Sequence, residues 1–167
     1  CIEVRCGDRL IILDGGTGLR ELGISLGEEA IDADILLSHT HYDHILGLPF
    51  FAPVYAPQNR FRMWAGRGDH GKSLDQVLRT LMQSPLFPIP VEAFGADMSY
   101  LDFDAGEALD MGDGILIRTA PLNHPNGATG YRIEYGGRAV AYVTDTEHTP
   151  GTLDQNIVDL VRGADAM

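Results

Sequence analysis

Cysteine is almost missing from this chain: Cys1 and Cys6 are the only two. Five residues apart along one strand they point to opposite faces, which argues against a disulfide between them and fits a reducing compartment, the cytoplasm. Basic residues are also scarce, 12 against 24 acidic ones, for a formal net charge of −12. A surface of that sign repels polyanions at long range, so general nucleic-acid binding is not expected. The expected partner is a small, anionic substrate drawn in by cations bound locally in one cleft. No stretch approaches the roughly 18 uninterrupted apolar residues of a membrane helix, and no basic-plus-apolar leader is present, so no membrane partner is expected. There is no internal repeat and no low-complexity tract.

What remains is an ordinary globular balance, 44% hydrophobic and 22% charged residues in a chain of 167. That is enough for one domain with its own core, so residues 1–167 read as a single domain. Cys1 falls inside a strand and Met167 falls where another strand is due, so both ends read as cut and the domain as incomplete at its C-terminus.

Residues 1–5 and 9–13 read as a hairpin around Gly7-Asp8. Asp14-Gly15-Gly16-Thr17-Gly18 breaks the extended run, with Thr17 as cap of a helix from Gly18 to Leu26. Asp34 to Ser38 is a short apolar strand. Pro49, Pro53 and Pro57 punctuate an aromatic stretch that reads as a loop covering the site. Arg60 to Ala65 is a strand. Ser73 with Gln76 forms a capping box ahead of an amphipathic helix that Ser84-Pro85 ends. Strands follow at 98–103, 115–120, 129–135 and 138–144, the last two joined by Gly136-Gly137. Gly151 to Val161 is a final helix with Leu153, Ile157, Leu160 and Val161 on one side.

The chemistry is concentrated in His39-Thr40-His41-Tyr42-Asp43-His44, directly after the apolar run Ile35-Leu36-Leu37. Imidazoles and carboxylates are ligands of zinc and related divalent metals. An extended backbone sends His39 and His41 to one side, so they can share an ion, with Asp43 in the same parity. His44 joins only if the chain turns out of the extended form, which would let Asp43 and His44 reach a second ion. Two later strands end in candidate ligands, His124 and Asp145. Delivered to the same edge, His124 would complete a three-histidine set and Asp145 would bridge both ions. His148 is open to two readings, a substrate contact or proton donor and a hydrogen-bonded loop residue, while His70 reads as solvated.

These motifs, with the Asp14 to Gly18 turn, resemble the metallo-β-lactamase-fold hydrolase superfamily, in its phosphodiesterase-like branch, over nearly the whole chain. The resemblance implies an α/β fold, a four-layer αββα sandwich with a two-metal site at one edge of the sheets. It implies His39, His41 and His124 on the first ion, Asp43 and His44 on the second, and Asp145 on both. Asp14 resembles the acidic residue that braces the metal loop, the alternative being a turn-forming Asp-Gly. The family supplies one more histidine near the C-terminus, and no histidine follows His148.

The expected cofactor is a pair of divalent ions, zinc first, with manganese or iron as alternatives. Two such ions present a bridging hydroxide to an electrophilic centre, with Asp43 orienting it. The expected reaction is hydrolysis of a small phosphodiester such as a cyclic nucleotide. Lactone or thioester hydrolysis is the alternative within enzymes, and a non-enzymatic metal-binding sensor the alternative outside them.

Overall fold

The structure is a computed structural model that describes residues 1–69 and 71–167; the reading of His70 lies outside them. The chain divides into two compact units, the first made of Cys1–Ala65 and Lys72–Asp102, the second of Gly66–Gly71 and Phe103–Met167.

The first unit is built on a five-stranded sheet in the order β1-β2-β3-β4-β5. These strands are β1 (Ile2–Cys6), β2 (Arg9–Leu13), β3 (Asp32–Leu37), β4 (Arg60–Gly66) and β5 (Asp97–Phe103). β1 and β2 form the expected hairpin, Cys6 opposite Arg9, with Gly7 at φ 61° as the tight turn requires. β2, β3 and β4 run parallel, Leu13 beside Leu36 and Leu36 beside Trp64. Buried on both faces from Ala33 onward, β3 ends in the continuous apolar run Ile35-Leu36-Leu37 rather than in an alternation.

One face of β3 sends Ala33, Ile35 and Leu37 into a core shared with Leu10, Ile12, Phe61 and Met63. On the other parity lies Asp34, fully buried. It accepts bonds from Arg9 Nη2 at 2.6 Å, Arg62 Nε at 2.7 Å and Trp64 Nε1 at 3.0 Å. Burial pushes the Asp34 carboxyl up, but those bonds from Arg62, Arg9 and Trp64 outweigh it and hold the group below its ordinary range.

α1 (Gly18–Ser25) and α3 (Leu74–Leu81) cover the core. Ser73 and Gln76 make the capping box in both directions. Thr17, in contrast, makes no side-chain cap bond, because its own backbone is already helical at φ −56°, ψ −28° and the helix N-terminus is not reached by its hydroxyl.

The proline-rich stretch is not a covering loop. It forms two 3-10 turns, Leu48–Phe50 and Ala52–Tyr55, and buries Pro49, Phe51, Pro53 and Val54. Proline suits the first positions of such turns, where its missing N–H costs nothing, and this leaves the apolar side chains free to join the core.

The second unit is a four-stranded antiparallel sheet in the order β6-β7-β8-β9. Its strands are β6 (Ala108–Gly112), β7 (Ile115–Leu122), β8 (Ala128–Tyr135) and β9 (Arg138–Tyr142). Gly136 and Gly137, at φ 57° and 75°, close β8 on β9.

α4 (Gln155–Val161) packs on β7 and β8. It starts four residues later than the sequence suggests, because Asp154 caps it by accepting from Asn156 N and Ile157 N; Leu153 is left 80% exposed. Beyond α4, Ala166 bridges Val140 in parallel. Among the described residues no helix is long and apolar enough to cross a membrane.

Candidate metal centre

β3 delivers His39 two residues past its end, 7% exposed. The backbone is still extended at His41, at φ −66° and ψ 156°, and then closes into the single helical turn α2 (Tyr42–Ile45). His44 N bonds His41 O at 3.0 Å, and that turn carries the His44 ring back over its predecessors. The His39 ring centroid lies 4.5 Å from that of His41 and 4.1 Å from that of His44. A strictly extended chain would have sent His44 to the other side.

Asp14, at the end of β2, is 2% exposed and sits at φ 58°, a left-handed conformation that Asp tolerates better than most side chains. Its N–H bonds Leu36 O at 2.9 Å. Its Oδ1 accepts from Ser38 N at 2.7 Å and its Oδ2 from the Ser38 hydroxyl at 2.8 Å. The same Oδ2 lies 2.7 Å from His44 Nδ1. Asp14 thus forms the turn, and both of its oxygens are committed to the segment that carries the histidines.

A carboxylate oxygen only accepts, so His44 Nδ1 donates to Asp14, and Nε2 is the ring nitrogen on the far side. That Nε2 is 3.3 Å from Asp43 Oδ2. An imidazole nitrogen and a carboxylate oxygen at that separation match the edge of a tetrahedron with bonds of about 2 Å to a metal. The donors present fit a divalent ion.

Ser38 is the residue that sequence reasoning missed. Its hydroxyl also stands 3.1 Å from His39 Nδ1 and 3.3 Å from His44 Nδ1, so one side chain touches two imidazoles. Nothing in the run Leu37-Ser38-His39 signals that role, which depends on Asp14 arriving from β2.

The glycines explain the Asp14-Gly15-Gly16 turn. Gly15 N bonds His44 O at 2.7 Å and Gly47 N bonds Gly15 O at 2.8 Å, so the turn lies flat against α2. A Cβ on Gly16 would collide with the Asp43 carbonyl oxygen, and one on Gly47 with the Gly16 carbonyl oxygen. Only hydrogen fits between these backbones.

The second unit places His124, half-buried, just past β7, in a turn closed by Gly127 N to His124 O at 3.0 Å. Asp145 follows β9 at φ 55° and accepts from Thr144 Oγ1 at 2.7 Å. The two segments are tied together: Glu147 N bonds Asn123 O at 2.7 Å, and Asn123 Nδ2 bonds Glu147 O at 2.7 Å. His148 is exposed, on the rim of a surface depression it shares with Asn123, Thr149 and Asn156. So Asp14, His39, His41, Asp43 and His44 are gathered in one unit, and His124 and Asp145 stand at strand ends of the other.

Comparison with known proteins gives a coherent picture. The family model of the Beta-lactamase superfamily domain matches residues 9–167. Ribonuclease Z of Thermoplasma acidophilum is 29% identical over 136 residues, 80% of this chain and 41% of that protein. The chain spans about two fifths of the length of the curated relatives it matches. The short form of human tRNase Z has a TM-score of 0.65 at 16% identity, covering 98% of this chain and 67% of that one. Zn(2+)-bound PqqB from Methylobacterium extorquens gives 0.59 at 16% identity, covering 98% and 56%. The two-sheet α/β architecture is that of the metallo-β-lactamase fold.

One expectation is corrected by these relatives. Net charge argued for a small-molecule substrate and against nucleic-acid binding, yet the curated relatives are named as ribonucleases and the human structure as a tRNase. The charge argument failed because it averages the whole surface. A polyanion needs positive potential only where it touches, and a metal centre supplies that locally whatever the remote carboxylates do.

Proposed function

Since the chain belongs to the Beta-lactamase superfamily domain family, we propose that it is a metal-dependent hydrolase of phosphodiester bonds, with RNA as the substrate class. The observation that carries the reading is the line Asp14, His44, Asp43: a buried carboxylate fixes one imidazole, whose Nε2 lies 3.3 Å from a second carboxylate. The curated relatives named Ribonuclease Z support the phosphodiester of RNA as the bond.

In this proposal residues 1–167 belong to a single metallo-hydrolase domain. His39, His41 and His124 would hold one divalent ion and Asp43 and His44 a second, with Asp145 as a candidate ligand of either. Zinc is the proposed metal, since imidazole and carboxylate donors suit it and PqqB of the same fold is Zn(2+)-bound. When bound, such ions lower the pKa of a coordinated water toward neutrality and stabilise charge that develops on the phosphoryl oxygens. Asp43, whose side chain is largely exposed, orients the attacking water and takes its proton. Asp14 and Ser38 hold the His39 and His44 rings in one orientation, so the ligands need no rearrangement. A cytoplasmic location goes with the two free thiols, Cys1 and Cys6.

The test is hydrolysis of a structured RNA, a cyclic nucleotide and bis-nitrophenyl phosphate beside a lactone and a thioester, each with zinc and with manganese. Cleavage of the RNA that a chelator abolishes supports the reading. Turnover confined to the lactone or thioester overturns it, and turnover confined to the cyclic nucleotide keeps the reaction and overturns the substrate class.

A further inference from the structure

We infer that Asn123 is a positioning residue for the metal centre, the clamp that draws the segment carrying Asp145 across the end of β8 toward His124. The inference rests on the proposed ligand roles of His124 and Asp145.

The need for a clamp follows from the sheet order. β7 and β9 are not neighbours, since β8 lies between them. At about 4.8 Å per strand their axes are about 10 Å apart. His124 leaves β7 and Asp145 leaves β9, whereas donors on one ion at about 2 Å per bond must approach within about 3–4 Å of each other. The ladder ends at Leu122 and Tyr142, so it does not by itself set the distance between the two segments beyond it.

What ties the two segments to each other is a reciprocal pair of bonds, Glu147 N to Asn123 O and Asn123 Nδ2 to Glu147 O, each 2.7 Å. Asn123 adjoins His124, and Glu147 is two residues past Asp145. One bond alone would let the segments pivot. Two bonds from the two ends of one Asn residue to the main chain of one partner fix both distance and rotation. An Asp at 123 would lack the amide donor and a Ser would fall short of the carbonyl. Glu147 contributes only its main-chain N–H and C=O to this pair, so its side chain is irrelevant to the clamp. Asp145 is itself held at φ 55° with Thr144 Oγ1 donating to its Oδ2, so its carboxylate follows wherever the segment is pinned.

Because Asn123 is exposed, its loss should scarcely affect folding; the consequence falls on the metal. In the full-length protein, zinc affinity is measured by competition with a chromogenic chelator, together with the thermal midpoint of the metal-free protein and kcat and KM on RNA. Asn123→Ala is expected to weaken zinc binding about 10–100-fold and to lower kcat while KM stays within about twofold, with the metal-free midpoint unchanged. Glu147→Pro, which removes the N–H, reproduces the loss in zinc affinity. Glu147→Ala, which keeps both main-chain atoms, retains the affinity of the parent. If the parent binds zinc and Asn123→Ala binds it equally well, the clamp is refuted and the hydrolase reading stands. If the parent binds no zinc, the hydrolase reading falls and the clamp with it.

Discussion

Asp14 Oδ2 lies 2.7 Å from His44 Nδ1, a buried bond between residues 30 positions apart that joins the end of β2 to the turn after β3. Because that oxygen also accepts from the Ser38 hydroxyl, one carboxylate sets the orientation of both His39 and His44.

Asp14→Asn keeps the shape and tolerates the left-handed backbone, but it offers an N–H where His44 and Ser38 both require an acceptor. Metal affinity should fall about 10–100-fold, read by chelator competition, with the fold retained by circular dichroism. Unaltered affinity would show that Asp14 only shapes the turn.

Gly47→Ala drives a Cβ into the Gly16 carbonyl oxygen. The Asp14 to Gly16 turn and α2 must then separate, at a cost of about 3 kcal/mol or more. Urea unfolding measures it. Gly27→Ala, at φ 73° with open space around it, serves as the comparison and should cost less, about 1 kcal/mol.

Asp34 gives a pH signature away from the metal. Its folded carboxyl titrates below its ordinary range, burial being outweighed by bonds from Arg62, Arg9 and Trp64. The stabilisation is therefore complete above about pH 4, where the unfolded carboxyl is ionised. It is lost as pH falls from there through the lower folded value, because the unfolded chain takes the proton first. Asp34→Asn leaves two arginines facing a neutral amide and should cost about 3 kcal/mol at pH 7. Urea unfolding of both proteins from pH 7 to pH 3 should show the difference shrinking with acid; a constant difference would contradict the assignment.

Where local pattern and tertiary structure agree, the sequence was readable. Gly136-Gly137 and the Ser73 capping box each state a local rule, and the structure obeys both. The five residues from Asp14 to Gly18 and the six from His39 to His44 marked one locus, and the structure joins them through main-chain bonds. β6 was missed because Ala108–Gly112 offers only Leu109 and Met111 as alternating apolar positions and carries a register shift between Asp110 and Gly112. Phe51 and Val54 were assigned to a loop because proline marks turns, yet turns can be buried when their own short-range bonds satisfy the backbone. Leu153 fits the helical spacing, but Asp154 stops the helix before reaching it. Substrate class was the hardest to read, since charge composition carries no positional information.

The most direct test of the central claim is metal content by plasma mass spectrometry on the purified protein and on His39→Ala and His124→Ala. The account predicts that the parent retains zinc and that each substitution, one in either unit, removes it. Zinc retained undiminished by His39→Ala or by His124→Ala would contradict the shared centre on which the proposed hydrolysis depends.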